Sequence, residues 1–339
     1  MRIVKRRLAM NWFNKKVLVT GADGFIGSHL TEALLQKGAK VRAFVYYNSF
    51  GSWGWLDSLP KNHQRKIDIF SGDIRDPHGV QKAVEGIDII FHLAALIGIP
   101  FSYHSPDSYV DTNVKGTLNV LQAARNKGVK KIIHTSTSEV YGTAQSVPIS
   151  ETHPLNPQSP YAASKAAADH LAQSFHLSFG LPVATIRPFN TYGPRQSARA
   201  VIPTIMSQLC AGKKTIHLGN IHATRDFNFV SDTVDAFLRV AESDKTVGQV
   251  LNVGSGRETS IADLVKLIAG MLKVKAIVAI EKERLRPALS EVERLLCDAG
   301  ALRRLCGWSP QVSLEEGLRQ TYRWIKAHPQ YFRSEIYHV

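Results

Sequence analysis

"VLVTGADGFIGSHL", residues Val17 to Leu30, decides how the rest of the chain is read. An apolar β-rich run ends at Gly21, and Gly24 and Gly27 follow before a helical pattern begins. At such a turn the first glycine permits the tight bend, the second lets a pyrophosphate approach the backbone, and the third lets helix and strand pack closely. The helix N-terminus then offers unpaired N–H groups to the phosphates. A merely tight turn has no need of three glycines at this spacing, so the stretch predicts a dinucleotide-binding loop. Phe25 and Ile26, between the last two glycines, count among its cofactor-binding residues.

Working outward, short apolar runs alternate with longer helical patterns. Runs at 17–20, 41–46, 67–70, 89–94, 131–136 and 183–188 fit strands buried on both faces of a parallel sheet. Helical patterns occupy 26–37, 110–127 and 161–179 between them. This alternation predicts an α/β chain with a Rossmann-type, doubly wound parallel sheet. Beyond Pro188 the pattern loosens to helices near 198–212, 231–243, 260–272 and 313–327, with "VLNVG" (250–254) as a late strand. The expected division is a basic N-terminal extension (1–15), a dinucleotide-binding domain with the catalytic residues (16–188), and a smaller α/β substrate-binding region (189–339).

The 339 residues, 44% apolar and 21% charged, suit a soluble globular protein. There is no secretory h-region and no apolar run long enough to span a bilayer, so no stable membrane insertion is expected. Three cysteines, Cys210, Cys297 and Cys306, suggest no disulfide framework and favour a cytoplasmic location. The net charge is +14; Arg2, Lys5, Arg6, Arg7, Lys15 and Lys16 supply +6, leaving 14 − 6 = +8 scattered over the remainder. No basic stripe interleaved with aromatics appears, so nucleic acid is not an expected partner, whereas an anionic small substrate is. No metal site is expected.

The second strand lacks the acid that NAD sites generally place at its end. "VRAFVYYNSFGS" offers Val45, Tyr46, Tyr47 and Asn48 instead, with no arginine at the tip for a 2′-phosphate. NAD is the expected cofactor, with NADP left open and Asn48 counted toward the site. Asp73 and Ile74, after the third strand, are placed to meet the adenine, although Asp73 also fits an ordinary helix cap.

"SPYAASK" puts Tyr161 and Lys165 one helical turn apart. An ammonium beside a phenol favours phenolate, so Lys165 is expected to lower the Tyr161 pKa. Such a tyrosine takes a proton from a sugar hydroxyl while a nicotinamide takes the hydride. Just upstream, "HTSTSEVYG" (134–142) crowds Thr137, Ser138 and Glu139 at the end of an apolar run, as a turn cap or as chemistry.

From about Asn14 onward the chain resembles the extended short-chain dehydrogenase/reductases that act on nucleotide sugars. The resemblance rests on "TGADGFIG", "HLAA" (92–95), "DTNVKGTLNVL" (111–121), "STSEVYG", "YAASK", "RPFNTYGPR" (187–195), "RDFNFVSD" (225–232) and "RPALSEVERL" (286–295). It implies a tightly held NAD(P), with Leu93, Ala94, Ala95 and Pro188 on the nicotinamide side. It also implies a homodimer through helices that start near Tyr109 and Tyr161. Epimerases of this family generally have no acid after the hydroxyl residue, whereas 4,6-dehydratases carry a pair such as Ser138-Glu139. The resemblance thus gives Thr137 the C4 oxygen beside Tyr161, Glu139 the C5 proton and then the leaving hydroxyl, and Ser138 an orienting part. UDP-glucuronate decarboxylases share Thr-Ser-Glu, so the motif alone does not separate them.

Substrate contacts implied by the family motifs are Asn190, Arg195, Arg225 and Arg286, arginine being suited to diphosphate by its planar fork. "YYNSFGSWGWLDSLP", "IGIPFSYHSPDSYVDTN" and the closing "SEIYHV" resemble UDP-N-acetylglucosamine 4,6-dehydratases of legionaminic-type nonulosonic acid pathways. That likeness adds His104 and Ser102 near the sugar. The expected activity is water loss from a UDP-sugar, UDP-N-acetylglucosamine, to a 4-keto-6-deoxy product. Decarboxylase, epimerase and a catalytically idle dinucleotide sensor are the alternatives.

Overall fold

The computed structural model describes residues 10–332, so residues 1–9 of the basic extension and the closing "SEIYHV" lie outside the described residues. The strands are β1 Lys16–Thr20, β2 Lys40–Tyr46, β3 Asp68–Gly72, β4 Ile89–His92, β5 Lys131–Thr135, β6 Val183–Pro188, β7 Asn190–Tyr192, β8 Thr215–Leu218, β9 Thr224–Phe229, β10 Val250–Val253, β11 Glu258–Ser260 and β12 Ile277–Ile280. The α-helices are α1 Phe25–Gln36, α2 Lys61–Gln64, α3 Pro77–Val84, α4 Ile99–His104, α5 Pro106–Tyr109, α6 Gly116–Lys127, α7 Pro160–Phe179, α8 Val201–Cys210, α9 Val230–Glu242, α10 Ile261–Leu272, α11 Gly300–Cys306 and α12 Leu314–Ala327.

Seven strands form one parallel sheet in the order β10-β6-β5-β4-β1-β2-β3. The chain runs outward from β1 to β3 and then returns to place β4 on the other side of β1. Ligands of such sheets bind in the crevice this reversal opens at the strands' C-terminal ends. Strand alternation explains why the sheet is two-sided. Val17 and Val19 enter one core with Leu30 and Leu34 of α1, while Leu18 enters the opposite core with Val120 of α6 and Phe175 of α7. Burial on both faces makes the strand sequences read as unbroken apolar runs. Each fully buried aliphatic side chain in these two layers contributes about 1.5–3 kcal/mol.

Helix ends follow local chemistry. Asp76 caps α3 by accepting N–H bonds from His78 and Gly79, Ser159 caps α7 through Ala162, and a proline follows each cap. Helices α6 and α7 stop at Gly128 and Gly180, both left-handed.

Differences from the sequence reading have physical causes. Trp12 is buried in the core, its ring tilted 30° against Phe91 at 6.1 Å, and donates from Nε1 to Glu242 at 2.6 Å. The ordered fold therefore begins before Lys16, inside the supposed extension. The late strand expected at 250–254 is β10, which pairs with β6 in the main sheet although it follows residue 188 in the chain. What gathers outside that sheet is β7-β9-β11 and the β8–β12 pair. Lastly, 110–127 is not one α-helix: Val110–Lys115 is π-helical before α6 begins. There Asn113 is drawn inward to bond the Leu96 backbone, at 2.8 Å to its N–H and 2.9 Å to its carbonyl. Such single widened turns frequently mark functional sites.

Candidate active site

The β1–α1 turn is built so that backbone meets backbone. Gly21 has φ 68°, and a Cβ there would lie 2.8 Å from the Ala94 nitrogen. A Cβ on Gly27 would lie 2.1 Å from the Gly21 carbonyl oxygen. Gly24 caps α1 without a side chain, and the first turn at Phe25 and Ile26 carries no acid. The result is a backbone cradle with free N–H groups, which fits the pyrophosphate of a dinucleotide.

The neighbouring 93–95 segment hangs from Thr20, whose Oγ1 accepts the Leu93 and Ala94 N–H groups at 3.1 Å each. That hydroxyl's proton is left for His92 Nδ1 at 2.8 Å, so Nε2 carries the imidazole proton and donates to Thr117 Oγ1 at 3.0 Å. Burial, then the charges of His134 and Lys165, hold His92 well below the usual histidine range. Ala95 follows at a partly open position. Pro188 ends β6 at the same C-terminal side of the sheet.

Other predicted cofactor residues are differently engaged. Ile74 is buried and packs so tightly on Gly116 that a Cβ there would lie 2.8 Å from its side chain. Asp73 is not a helix cap, a part taken by Asp76; it binds Arg75, which holds its carboxyl below the ordinary range. Asn48 spends its amide on its own loop, donating to Ser52 O at 2.8 Å and accepting from Phe50 N at 3.1 Å.

Ser159 and Pro160 start α7 so that Tyr161 stands in its first turn and Lys165 one turn later. Thr137 answers the question of cap or chemistry with both: Oγ1 accepts the Glu139 N–H at 3.2 Å, and its side chain hydrogen-bonds the Tyr161 hydroxyl. Ser138, Glu139 and Tyr161 are all buried. Lys165 is anchored to the backbone. Its ammonium donates to the Thr135 carbonyl at the end of β5 at 2.5 Å, and burial pushes it down to about 8. Tyr161 is pushed above the ordinary phenol range, foremost by burial and further by Glu139, with the Thr137 bond opposing.

Beneath these groups lies a buried network absent from the sequence reading. Asp169 accepts from Ser136 Oγ at 2.7 Å and Arg187 Nε at 3.0 Å, and meets His134 Nε2 at 3.1 Å. Burial disfavours the carboxylate, but these partners together hold it below the ordinary range. Arg187 donates to Tyr141 Oη at 2.9 Å, which donates to Asn252 at 2.8 Å. Asn113 donates to Ser164 Oγ at 2.9 Å, tying the π-turn to α7 between Tyr161 and Lys165. Asn113 and Arg187 stood inside quoted motifs, yet nothing local in the sequence signals partners so far along the chain.

At the substrate end, Arg286 Nη1 lies 3.6 Å from Glu139 Oε2 and 3.8 Å from Glu291 Oε1. Arg225 Nη2 reaches Glu291 at 3.2 Å, so one unforeseen carboxylate serves two arginines. Arg286 Nη1 and Asn190 Oδ1 are buried without hydrogen-bond partners. Orphaned polar atoms of this kind suit a ligand. Arg195 is a correction. It adopts a left-handed backbone, φ 67°, which turns its guanidinium to Glu32 of α1 at 2.8 Å and over Trp324, rather than toward Glu139. Ser102 is buried and donates to Ile99 O at 2.7 Å, while His104 is exposed at the end of α4. Tyr103 between them reaches Ser290 at 2.6 Å, a contact the sequence did not suggest.

Comparison with known proteins adds three findings. The family described as GDP-mannose 4,6 dehydratase matches residues 18–321. A UDP-glucose 4-epimerase of Mycolicibacterium smegmatis is 37% identical, covering 92% of this chain and 98% of its own; a UDP-N-acetyl-alpha-D-glucosaminuronate decarboxylase of Bacillus cytotoxicus is 34% identical, covering 92% and 98%. A dTDP-glucose 4,6-dehydratase from Streptomyces venezuelae, solved with NAD bound, superposes with a TM-score of 0.83 at 30% identity, covering 94% of this chain and 99% of its own. Three chemistries thus share this scaffold.

Proposed function

The chain belongs to the GDP-mannose 4,6-dehydratase family of NAD-dependent nucleotide-sugar dehydratases and epimerases, and from that premise we propose that it is a 4,6-dehydratase acting on UDP-N-acetylglucosamine. The observation that carries this reading is a third acid–base group in the pocket: Glu139 is buried alongside Tyr161 and Thr137 and faces Arg286 at 3.6 Å. Inverting a sugar carbon through a ketone requires only a tyrosine and a hydride carrier, whereas removing water requires a further base and acid. The decarboxylase relative supports a UDP-N-acetylhexosamine.

The glycine cradle and the 93–95 segment hold NAD in this reading. NAD supplies a reversible hydride acceptor and, oxidised, a positive charge that opposes the effect of burial on Tyr161. Tyr161 takes the O4 proton as the C4 hydride departs, and Thr137 hydrogen-bonds the resulting ketone. Lys165, fixed to Thr135, contributes its charge from below. The ketone acidifies C5–H, whose proton Glu139 removes; the same carboxyl then protonates the C6 hydroxyl, which leaves as water. NAD, held by the glycine cradle, would supply a hydride for C6 as a proton reaches C5, so that the sugar would lose water with no net oxidation. Arg225 and Arg286 take the diphosphate, and Asn190 offers its orphaned carbonyl to the substrate. Exposed Val110, Leu118 and Leu177 on the π-turn, α6 and α7 support a homodimer through that face.

Arg286 beside Glu139 favours a second reading, because a C6 carboxylate has a cation to meet; this is the decarboxylase. The two separate by product. Glu139→Gln is expected to preserve C4 oxidation, seen as a ketone trapped by borodeuteride at quench, while water loss falls about 100-fold or more. Undiminished water loss removes Glu139 from the mechanism, and carbon dioxide from UDP-glucuronate without dehydration of UDP-N-acetylglucosamine transfers the protein to the second reading.

A further inference from the structure

The second strand has no acid at its end, yet the structure brings one there. Asp23, inside the glycine loop, reaches across to the tip of β2, where its Oδ2 accepts the Tyr46 N–H at 3.1 Å. Its backbone is held as well. The Asp23 carbonyl accepts the Trp55 N–H at 2.9 Å, and Gly54 packs so closely that a Cβ there would lie 2.5 Å from that oxygen. The carboxylate is therefore fixed where dinucleotide sites of this architecture place the adenosine ribose. A carboxylate oxygen engaged by one N–H still has accepting capacity, so a ribose hydroxyl finds a partner.

The cation coupled to Tyr46 at this tip is already taken. Arg75, whose charge is felt by Tyr46, is clamped by Asp73 through Nη2 at 2.5 Å and Nε at 2.9 and 3.0 Å. Arg42 on β2 pairs instead with Asp68 on β3 at 2.7 Å. A phosphate on the ribose 2′ position would meet the Asp23 carboxylate, while Arg75 and Arg42 are already paired with Asp73 and Asp68.

We propose that Asp23 selects NAD over NADP, accepting the ribose 2′-hydroxyl and repelling a 2′-phosphate, with Asp73 as its accomplice in neutralising Arg75. This rests on the dinucleotide reading of the glycine loop and deepens it. The test is a fluorescence titration of the full chain with NADH and, separately, NADPH. The wild type is expected to prefer NADH. Asp23→Asn keeps an acceptor for the Tyr46 N–H but removes the charge, and is expected to shift the NADPH-to-NADH affinity ratio toward NADPH about tenfold. Asp73→Asn, which frees Arg75, should shift it the same way, and keeps the test open if the first variant folds poorly. Ratios unchanged in both variants, with NADH still bound, overturn the role of Asp23 alone. A wild type that binds neither dinucleotide overturns the underlying reading as well.

Discussion

At Tyr161 the protein sets burial against hydrogen bonding. Burial and the Glu139 charge raise the phenol, the Thr137 bond lowers it, and Lys165 is anchored to a carbonyl rather than placed as a simple counter-charge. If the phenolic oxygen exchanges the O4 proton, Tyr161→Phe is expected to lower kcat about 100- to 10,000-fold with little change in Tm, measured by single-turnover assay and thermal melt. Retention of activity within tenfold would exclude the role. Spacing singled out Tyr161 and Lys165, and family resemblance Glu139, because each sits in a short motif tied to one turn. Asp169 escaped because Ser136 and Arg187 come from other parts of the chain, and Glu291, although it stands inside the quoted 286–295 motif, because Arg225 reaches it from far away. Arg195 misled for the converse reason: a motif gives the residue, and the backbone turn decides where its side chain goes.

Among the elements, β1 to β6 and the long helices were legible because both sheet faces are covered and because α3, α7, α10 and α12 start at Asp or Ser caps. The π-turn was not, since its cause is a side chain reaching a distant backbone. One contact between elements has a pH signature. His29 of α1 bonds the Pro194 carbonyl at 2.9 Å, and burial, then the Arg195 charge, push its imidazole down to about 4. The unfolded chain takes up this proton near pH 6.5 and the folded chain only near 4. The unfolded state thus binds more protons between those values, and stability rises with pH across that window. His29→Gln, which keeps a donor for Pro194, should flatten this part of the Tm-versus-pH curve relative to wild type by several degrees between pH 7 and 4.5. Parallel curves would place the imidazole in contact with water.

Over the whole molecule, the parallel sheet and its switch point were readable from one glycine loop and the strand–helix alternation that follows. The pairing of the late strand was less legible, because β10 returns to a sheet the chain had left after β6. That return matters for function. It ties the chain after β9 to the same framework that carries Tyr161 and Glu139, and Arg286, further along, lies 3.6 Å from Glu139. One measurement bears most directly on the claim that this framework removes water: mass spectrometry of UDP-N-acetylglucosamine incubated with the protein in D2O, with NAD far below the substrate. The account predicts loss of one water and gain of one deuterium at C5, with turnover well beyond the NAD supplied because the hydride is recycled. A sugar nucleotide recovered with its full water content, with or without inversion at C4, would contradict it.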